Sequence, residues 1–251
     1  MSVMNPVWLY SLVSVFIVSL IALVGLVTLS ISSEKLKKVL IYLISFSAGA
    51  LFGDAFLHLL PEIAENGISI GVSLSIIFGI ILFFSLEKVI HWRHCHMPIT
   101  KTHVHPFAYM NLFGDALHNF IDGLIIAASY IVSVPAGIAT TIAVLLHEIP
   151  QEIGDFGVLI YAGFSKGRAI LLNFVTALTA FFGVVVALLL SNWFAGVEQY
   201  FVALAIGGFL YIAGSDLIPE LHKETRMKVS LLQLLTFILG VLVMMSLLLL
   251  E

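Results

Sequence analysis

The chain has 251 residues, 61% of them hydrophobic and 10% charged, with a mean hydropathy of +1.13. A soluble domain carries about 25% charged residues, and so few here could not keep its surface wet. The net charge of −4 gives no basic field for nucleic acid, and the single cysteine, Cys95, excludes a disulfide framework or a Cys-cluster metal site, which leaves a polytopic protein of the lipid bilayer.

Crossing the hydrocarbon takes about 20 apolar residues as a helix. Charged or Pro/Gly/Asn-containing connectors divide the chain into eight such segments, read here as one transmembrane domain over 1–251. The first, 7–29, lacks a basic leader and is long enough to span. The second, 39–61, carries Asp54 and His58 and runs into Pro61 and Glu62. The third, 68–90, leads into a loop over 91–106 with His91, His94, His96, His103 and His105. The fourth, 107–131, and fifth, 135–161, hold most of the intramembrane polar residues. The sixth is 168–191; the seventh, 199–219, carries Asp216 and ends at Pro219, with Glu220 and His222 just beyond; the eighth is 229–250. The dyad alternation of membrane β-strands is not visible.

All eleven Lys and Arg residues follow the odd-numbered segments: Lys35, Lys37 and Lys38; Lys88, Arg93 and Lys101; Lys166 and Arg168; Lys223, Arg226 and Lys228. The positive-inside rule puts these connectors in the cytoplasm and both termini outside. Under this topology the second and seventh segments run in opposite directions yet end alike, His58-Leu59-Leu60-Pro61-Glu62 against Asp216-Leu217-Ile218-Pro219-Glu220, with Gly49 matching Gly207. Such inversion is a common plan of secondary transporters, with the substrate site near the midplane.

An ionisable group at the bilayer centre costs on the order of 2.5–3.5 kcal/mol on insertion scales, so such groups face a cavity and serve function. On the fourth segment Asp115, His118 or Asn119, and Asp122 share one helical face; on the fifth His147 sits over Gln151, and Glu148 over Glu152 and Asp155. His118 lies about 16 Å into its segment at 1.5 Å per residue, and His147 lies at a similar depth on an antiparallel neighbour. Pro150 cannot donate to the carbonyl of Leu146, which in lipid needs a partner or a polar cavity.

Imidazole nitrogen with carboxylate oxygen suits Zn²⁺, and also Fe²⁺, Mn²⁺ or Cd²⁺. His118, Asp122, His147 and Gln151 make one four-ligand set; Asn119, Glu148 and Glu152, sharing Asp122, make a second. Asp54, His58 and Glu62 extend the polar line outward, and Asp115, Asp155, Asp216, Glu220 and His222 extend it inward. Several moderate ligands in series suit an ion that must both enter and leave. The five loop histidines read as a weak capture or sensing tract.

The ordered pair HNFIDG and HEIPQE, the eight spans and the His-bearing third loop resemble the ZIP (Zrt-, Irt-like protein) family of divalent-metal transporters, in particular the branch whose second motif reads HEIPHE. The resemblance implies an all-α fold in a 3+2+3 arrangement with inverted outer triplets and a central site of one or two metals at or beside His118, Asn119, Asp122, His147, Glu148, Gln151 and Glu152. It also implies metal movement into the cytoplasm, a homodimer, and a helix bundle that slides against the rest. Without a long extracellular domain, the plasma membrane of a prokaryote (its inner membrane) is the expected home. Gln151 departs from the branch, which has histidine there; an amide oxygen is a weaker, harder ligand that cannot be protonated near neutral pH, so the expectation is either a looser selectivity for Zn²⁺, towards Mn²⁺ or Fe²⁺, or a weaker coupling of binding to pH. Two other readings compete. An intramembrane metalloprotease would use Glu148 of the HExxH-like run as its base, but Gln151 replaces the second zinc histidine. A sensor that binds without conducting leaves the serial polar positions unexplained.

Overall fold

A computed structural model describes residues 6–28, 33–65, 67–91, 106–194 and 196–250. Among them every regular element is helical, and they form eight rods. Helix α1 (6–28) contains a 3₁₀ turn at Leu20–Leu23. Helix α2 (33–65) comprises Ser33–Gly53, a π turn at Asp54–Leu59, and Leu60–Glu65. Then come α3 (Ile70–His91), α4 (Pro106–Val132) and α5 (Val134–Tyr161). Helix α6 (166–193) is broken at Leu178; α7 (198–222) has a π turn at Ile212–Leu217; α8 (227–250) closes with a 3₁₀ turn. Seven of the rods are long and apolar enough to cross a membrane. The remaining one, α5, has 28 residues, and its polar motif dilutes its apolar character.

Both π turns occupy one register. Each ends two residues before a proline, Pro61 or Pro219, and begins five after a glycine, Gly49 or Gly207. Proline lacks an N–H and its ring crowds the preceding turn, and widening that turn to a π bulge relieves the crowding. The two segments whose endings match in sequence therefore carry the same backbone irregularity as well.

Three helix pairs make the most extensive contacts: α4 with α6, α2 with α8, and α3 with α7. Each has a glycine on both sides. A Cβ on Gly123 would strike the carbonyl of Ala180, and one on Gly183 the carbonyl of Phe120; Gly49 with Gly240 and Gly79 with Gly207 behave alike. Lipid gives no hydrophobic drive for helix association, so close backbone approach across small residues supplies it through van der Waals contact. Helix α1 is tied in by polar contacts, Ser14 Oγ with the Tyr130 hydroxyl at 2.9 Å and Ser19 Oγ donating to the carbonyl of Ala177 at 2.9 Å. The antiparallel α4 and α5, joined at Ser133, are thereby held with their motif faces together.

Candidate metal centre

Four side chains from α4 and α5 converge, His118, Asp122, His147 and Glu148, each offering one ligand atom within 4.8 Å of the other three. The separations are narrower than that limit. His118 Nε2 lies 3.2 Å from His147 Nε2, 3.5 Å from Asp122 Oδ2 and 3.5 Å from Glu148 Oε1. His147 Nε2 lies 3.4 Å from Asp122 Oδ2 and 3.6 Å from Glu148 Oε1. A regular tetrahedron with ligands about 2.0–2.2 Å from its centre has edges of roughly 3.3–3.6 Å, so these donors sit where tetrahedral Zn²⁺ ligands would.

The carboxylate oxygens are also unsatisfied. Both oxygens of Asp122 and Oε1 of Glu148 are buried without a normal hydrogen bond. His147 Nδ1 lies 3.2 Å from the carbonyl of Ala143, a contact that places the proton on Nδ1 and leaves the Nε2 lone pair facing the cluster. Phe83 of α3 and Phe209 of α7 set ring edges against His118 and His147 and fix the imidazole planes. The His147 lone pair and two carboxylates face the His118 imidazole at the cavity wall, an arrangement that a shared dication suits.

The backbone at Pro150 is provided for. Helix α5 stays continuous, and the Leu146 carbonyl deprived of its donor accepts from Ser47 Oγ of α2 at 2.6 Å. The carbonyl next to His147 is thus held by a hydroxyl from a neighbouring rod.

The other expected ligands take separate places. Gln151 is half-buried and lines a cavity of about 520 Å³ that also touches His118 and His147. Asn119 is buried and donates to Asp115, at 3.1 Å to its carbonyl and 2.8 Å to its Oδ1. Glu152 is buried with neither carboxylate oxygen hydrogen-bonded. Glu148, grouped by spacing with a second set, stands with both imidazoles instead.

The cavity continues past Asp115, Asn111, Asp155 and Glu87 to Glu220, at the end of the bundle that also bears Lys88, Lys166 and Lys223. Asp115 is held by Asn119 and by Thr176 Oγ1 at 2.5 Å, and Asp155 accepts from Asn111 Nδ2 at 2.7 Å. Glu220 and His222 are exposed, and Glu220 pairs with Lys223. Towards the opposite end Asp54 and His58 are buried, Glu62 is half-buried, and His58 Nε2 lies 2.9 Å from the carbonyl of Met244. The side chains of Asp216 and His91, and the whole of His94, His96, His103 and His105, lie outside the described residues.

Sequence reasoning passed over Ser47, Glu87, Asn111, Tyr211 and the polar face of α6. On α6, Asn173, Thr176 and Thr179 fall at every third position and bond to Glu152 O, Asp115 Oδ2 and Ala116 O. Polar residues at helical spacing in an apolar span were the available signal. The hydroxyl of Tyr211 donates to Glu87 across the cavity wall.

The chain matches the family described as ZIP Zinc transporter over residues 5–107 and 101–248. It belongs to the ZIP family. Zinc transporter ZIP13 of Danio rerio is 33% identical to it, with 97% of this chain and 88% of that protein covered. Zinc transporter zipt-7.1 of Caenorhabditis briggsae is 32% identical over 94% of this chain and 77% of its own length. Metal cation symporter ZIP8 of Rattus norvegicus is 30% identical over 90% and 65%. The ZIP assignment makes this a multi-pass membrane protein of a transporter family, and it favours neither the protease nor the sensor reading.

Proposed function

We propose that this ZIP protein takes up a divalent transition metal, Zn²⁺ first, and passes it to the cytoplasm through the α4–α5 centre. One observation carries the reading: four donors from HNFIDG and HEIPQE, His118 half-buried and the other three buried, face one another at separations near those of tetrahedral ligands, and both Asp122 oxygens and Glu148 Oε1 are buried without another hydrogen-bond partner. Imidazole and carboxylate also accept Fe²⁺, Mn²⁺ or Cd²⁺. Asn119, Gln151 and Glu152 belong to the same path in this reading, as relay ligands around the four.

Asp54, His58 and Glu62 form the outer approach. Asp115, Asp155, Asp216, Glu220 and His222 form the exit, with the loop histidines 91, 94, 96, 103 and 105 capturing delivered metal. In this reading the buried Asp54 and His58 on one side, and the long cavity on the other, suit a protein closed outward and open inward. That orientation takes the topology expected from the Lys and Arg placement, with both termini outside. The matching π turns support a 3+2+3 arrangement with inverted outer triplets inside one transmembrane domain. A homodimer in a plasma membrane completes the reading on resemblance; the prokaryotic inner membrane rests on that alone, and the relatives named above are animal proteins.

Uptake of Zn²⁺ into proteoliposomes at several internal and external pH values is the direct test. His118→Ala should abolish flux while the protein still inserts. Because the ligands must be deprotonated to bind metal, affinity should fall as the pH falls. Flux unchanged by His118→Ala and by Asp122→Ala would remove the centre, and intact binding without any flux would favour the sensor.

A further inference from the structure

The cavity of about 520 Å³ is far larger than a single ion needs. A water molecule takes about 30 Å³, whereas pockets for organic ligands span about 300–1,000 Å³. Its two walls differ in character. On the α4–α5 side Asn111, Asp115 and Asp155 make a polar wall. On the α3–α7 side Phe83, Leu86, Ile212 and Leu217 make an apolar one, interrupted by the bonded pair Glu87 and Tyr211. Among the described residues no lysine or arginine lines the cavity. Gly154, on the α5 wall, is a second and independent sign of reserved space. Gly49, Gly123 and Gly183 are demanded by neighbouring backbones, but a Cβ on Gly154 would meet no atom within 4 Å. Glycine inside a helix costs stability relative to alanine, so what this one supplies is room.

A hydrated dication gains nothing from an aliphatic wall. A ligand that satisfies both walls carries several positive charges joined by methylenes. We propose that the cavity binds a linear aliphatic polyamine, whose ammonium groups meet Asp155 and Glu87 in the field of Asp115 while its methylenes lie along Leu86, Ile212 and Leu217. Each carboxylate has about four lone-pair sites, so a bond from Asn111 or Tyr211 leaves it able to accept from an ammonium as well. The same acids repel anionic chelators, which excludes carboxylate and phosphate ligands. Glu220, exposed at the mouth and paired with Lys223, adds only a screened charge. The mouth lies at the end that bears Lys88, Lys166 and Lys223, cytoplasmic in the expected topology. The consequence rests on the transport reading: a polyamine in the cavity stands in the path of departing metal and lowers uptake from the inside.

The test uses the purified full chain in nanodiscs of zwitterionic lipid, with labelled spermidine as the probe and the tetrahedral Co²⁺ absorption band as a check on the α4–α5 centre. Hexaamminecobalt(III) is the competitor, because it carries nearly the same positive charge as spermidine and no methylenes. Unlabelled spermidine should displace the label at an about tenfold lower concentration than that complex. Gly154→Leu, which fills the cavity, should weaken spermidine binding about tenfold or more with the Co²⁺ band unchanged, and Asp155→Asn should weaken it about tenfold. In proteoliposomes of one orientation, spermidine on the cytoplasmic side should reduce Zn²⁺ uptake and spermidine on the other side should not. Equal displacement by the two cations, binding indifferent to both variants, or equal block from either side would overturn the proposal. Spermidine bound as expected without any Zn²⁺ flux would support the cavity site and strike the transport reading. Zn²⁺ flux with no spermidine bound would strike the proposal alone.

Discussion

Asp115 and Asp122 lie two turns apart on the same face of α4, and both are buried, yet Asp115 has each carboxylate oxygen hydrogen-bonded and Asp122 has neither. Around Asp115 the protein supplies a carboxamide and a hydroxyl, so the charge is held by the fold itself. Around Asp122 it sets the His118 and His147 imidazole nitrogens, at 3.5 and 3.4 Å, and a second carboxylate, none of them in normal hydrogen-bond geometry with it. A buried carboxylate bonded by neutral donors is part of the structure; one beside a second carboxylate and an imidazole lone pair calls for a cation or a proton among them. The contrast separates what holds the path open from what handles the cargo.

The sharpest way to break this contrast is Asp122→Ala. It removes one of four ligands and should lower Zn²⁺ uptake by about 100-fold or more, with insertion and thermal stability near wild type or improved. A large loss of stability with metal-free protein would mean that Asp122 is a structural group like Asp115. Thr176→Val makes the converse change. It strips one donor from Asp115 and should cost about 1–3 kcal/mol in thermal or denaturant unfolding, while the Co²⁺ spectrum of the α4–α5 centre stays as it was.

Much of this was legible before any coordinates. Ionisable residues stand out in a chain so apolar, and the Lys and Arg pattern orders the spans, which is why the all-helical, multi-spanning character could be read directly. How the donors divide among sites was not legible. Spacing along one helix says which residues share a face, but not how far a neighbouring helix is rotated or how far a flexible side chain reaches. Glu148 follows His147 by one position and belongs to a different face of α5, yet its Oε1 lies 3.5 Å from His118 and 3.6 Å from His147. The π turns were hidden for a related reason, because periodicity arguments assume 3.6 residues per turn throughout. Asn173 was hidden because a single carboxamide in a span reads as incidental until its partner on α5 is known.

Gln151→His probes the contrast more gently. Gln151 lines the cavity beside both imidazoles, and a third imidazole there is a softer ligand than the amide. The ratio of Zn²⁺ to Mn²⁺ uptake in competition should rise by about tenfold or less. An unaltered ratio would mean that residue 151 shapes the cavity wall without meeting the ion.

The smallest effect concerns the backbone beneath the centre. Ser47→Ala leaves the Leu146 carbonyl, next to His147, without the donor it has at 2.6 Å, and interhelical hydrogen bonds in membranes average about 0.6 kcal/mol. A loss that small is persuasive only in a cycle with Pro150→Ala. An alanine at 150 regains an N–H for the Leu146 carbonyl four residues back, so Ser47→Ala should cost nothing in that background. The coupling measured by unfolding would then equal the whole effect of the single change. Equal costs in both backgrounds would show that the hydroxyl acts by packing, and that the proline-freed carbonyl does not depend on it.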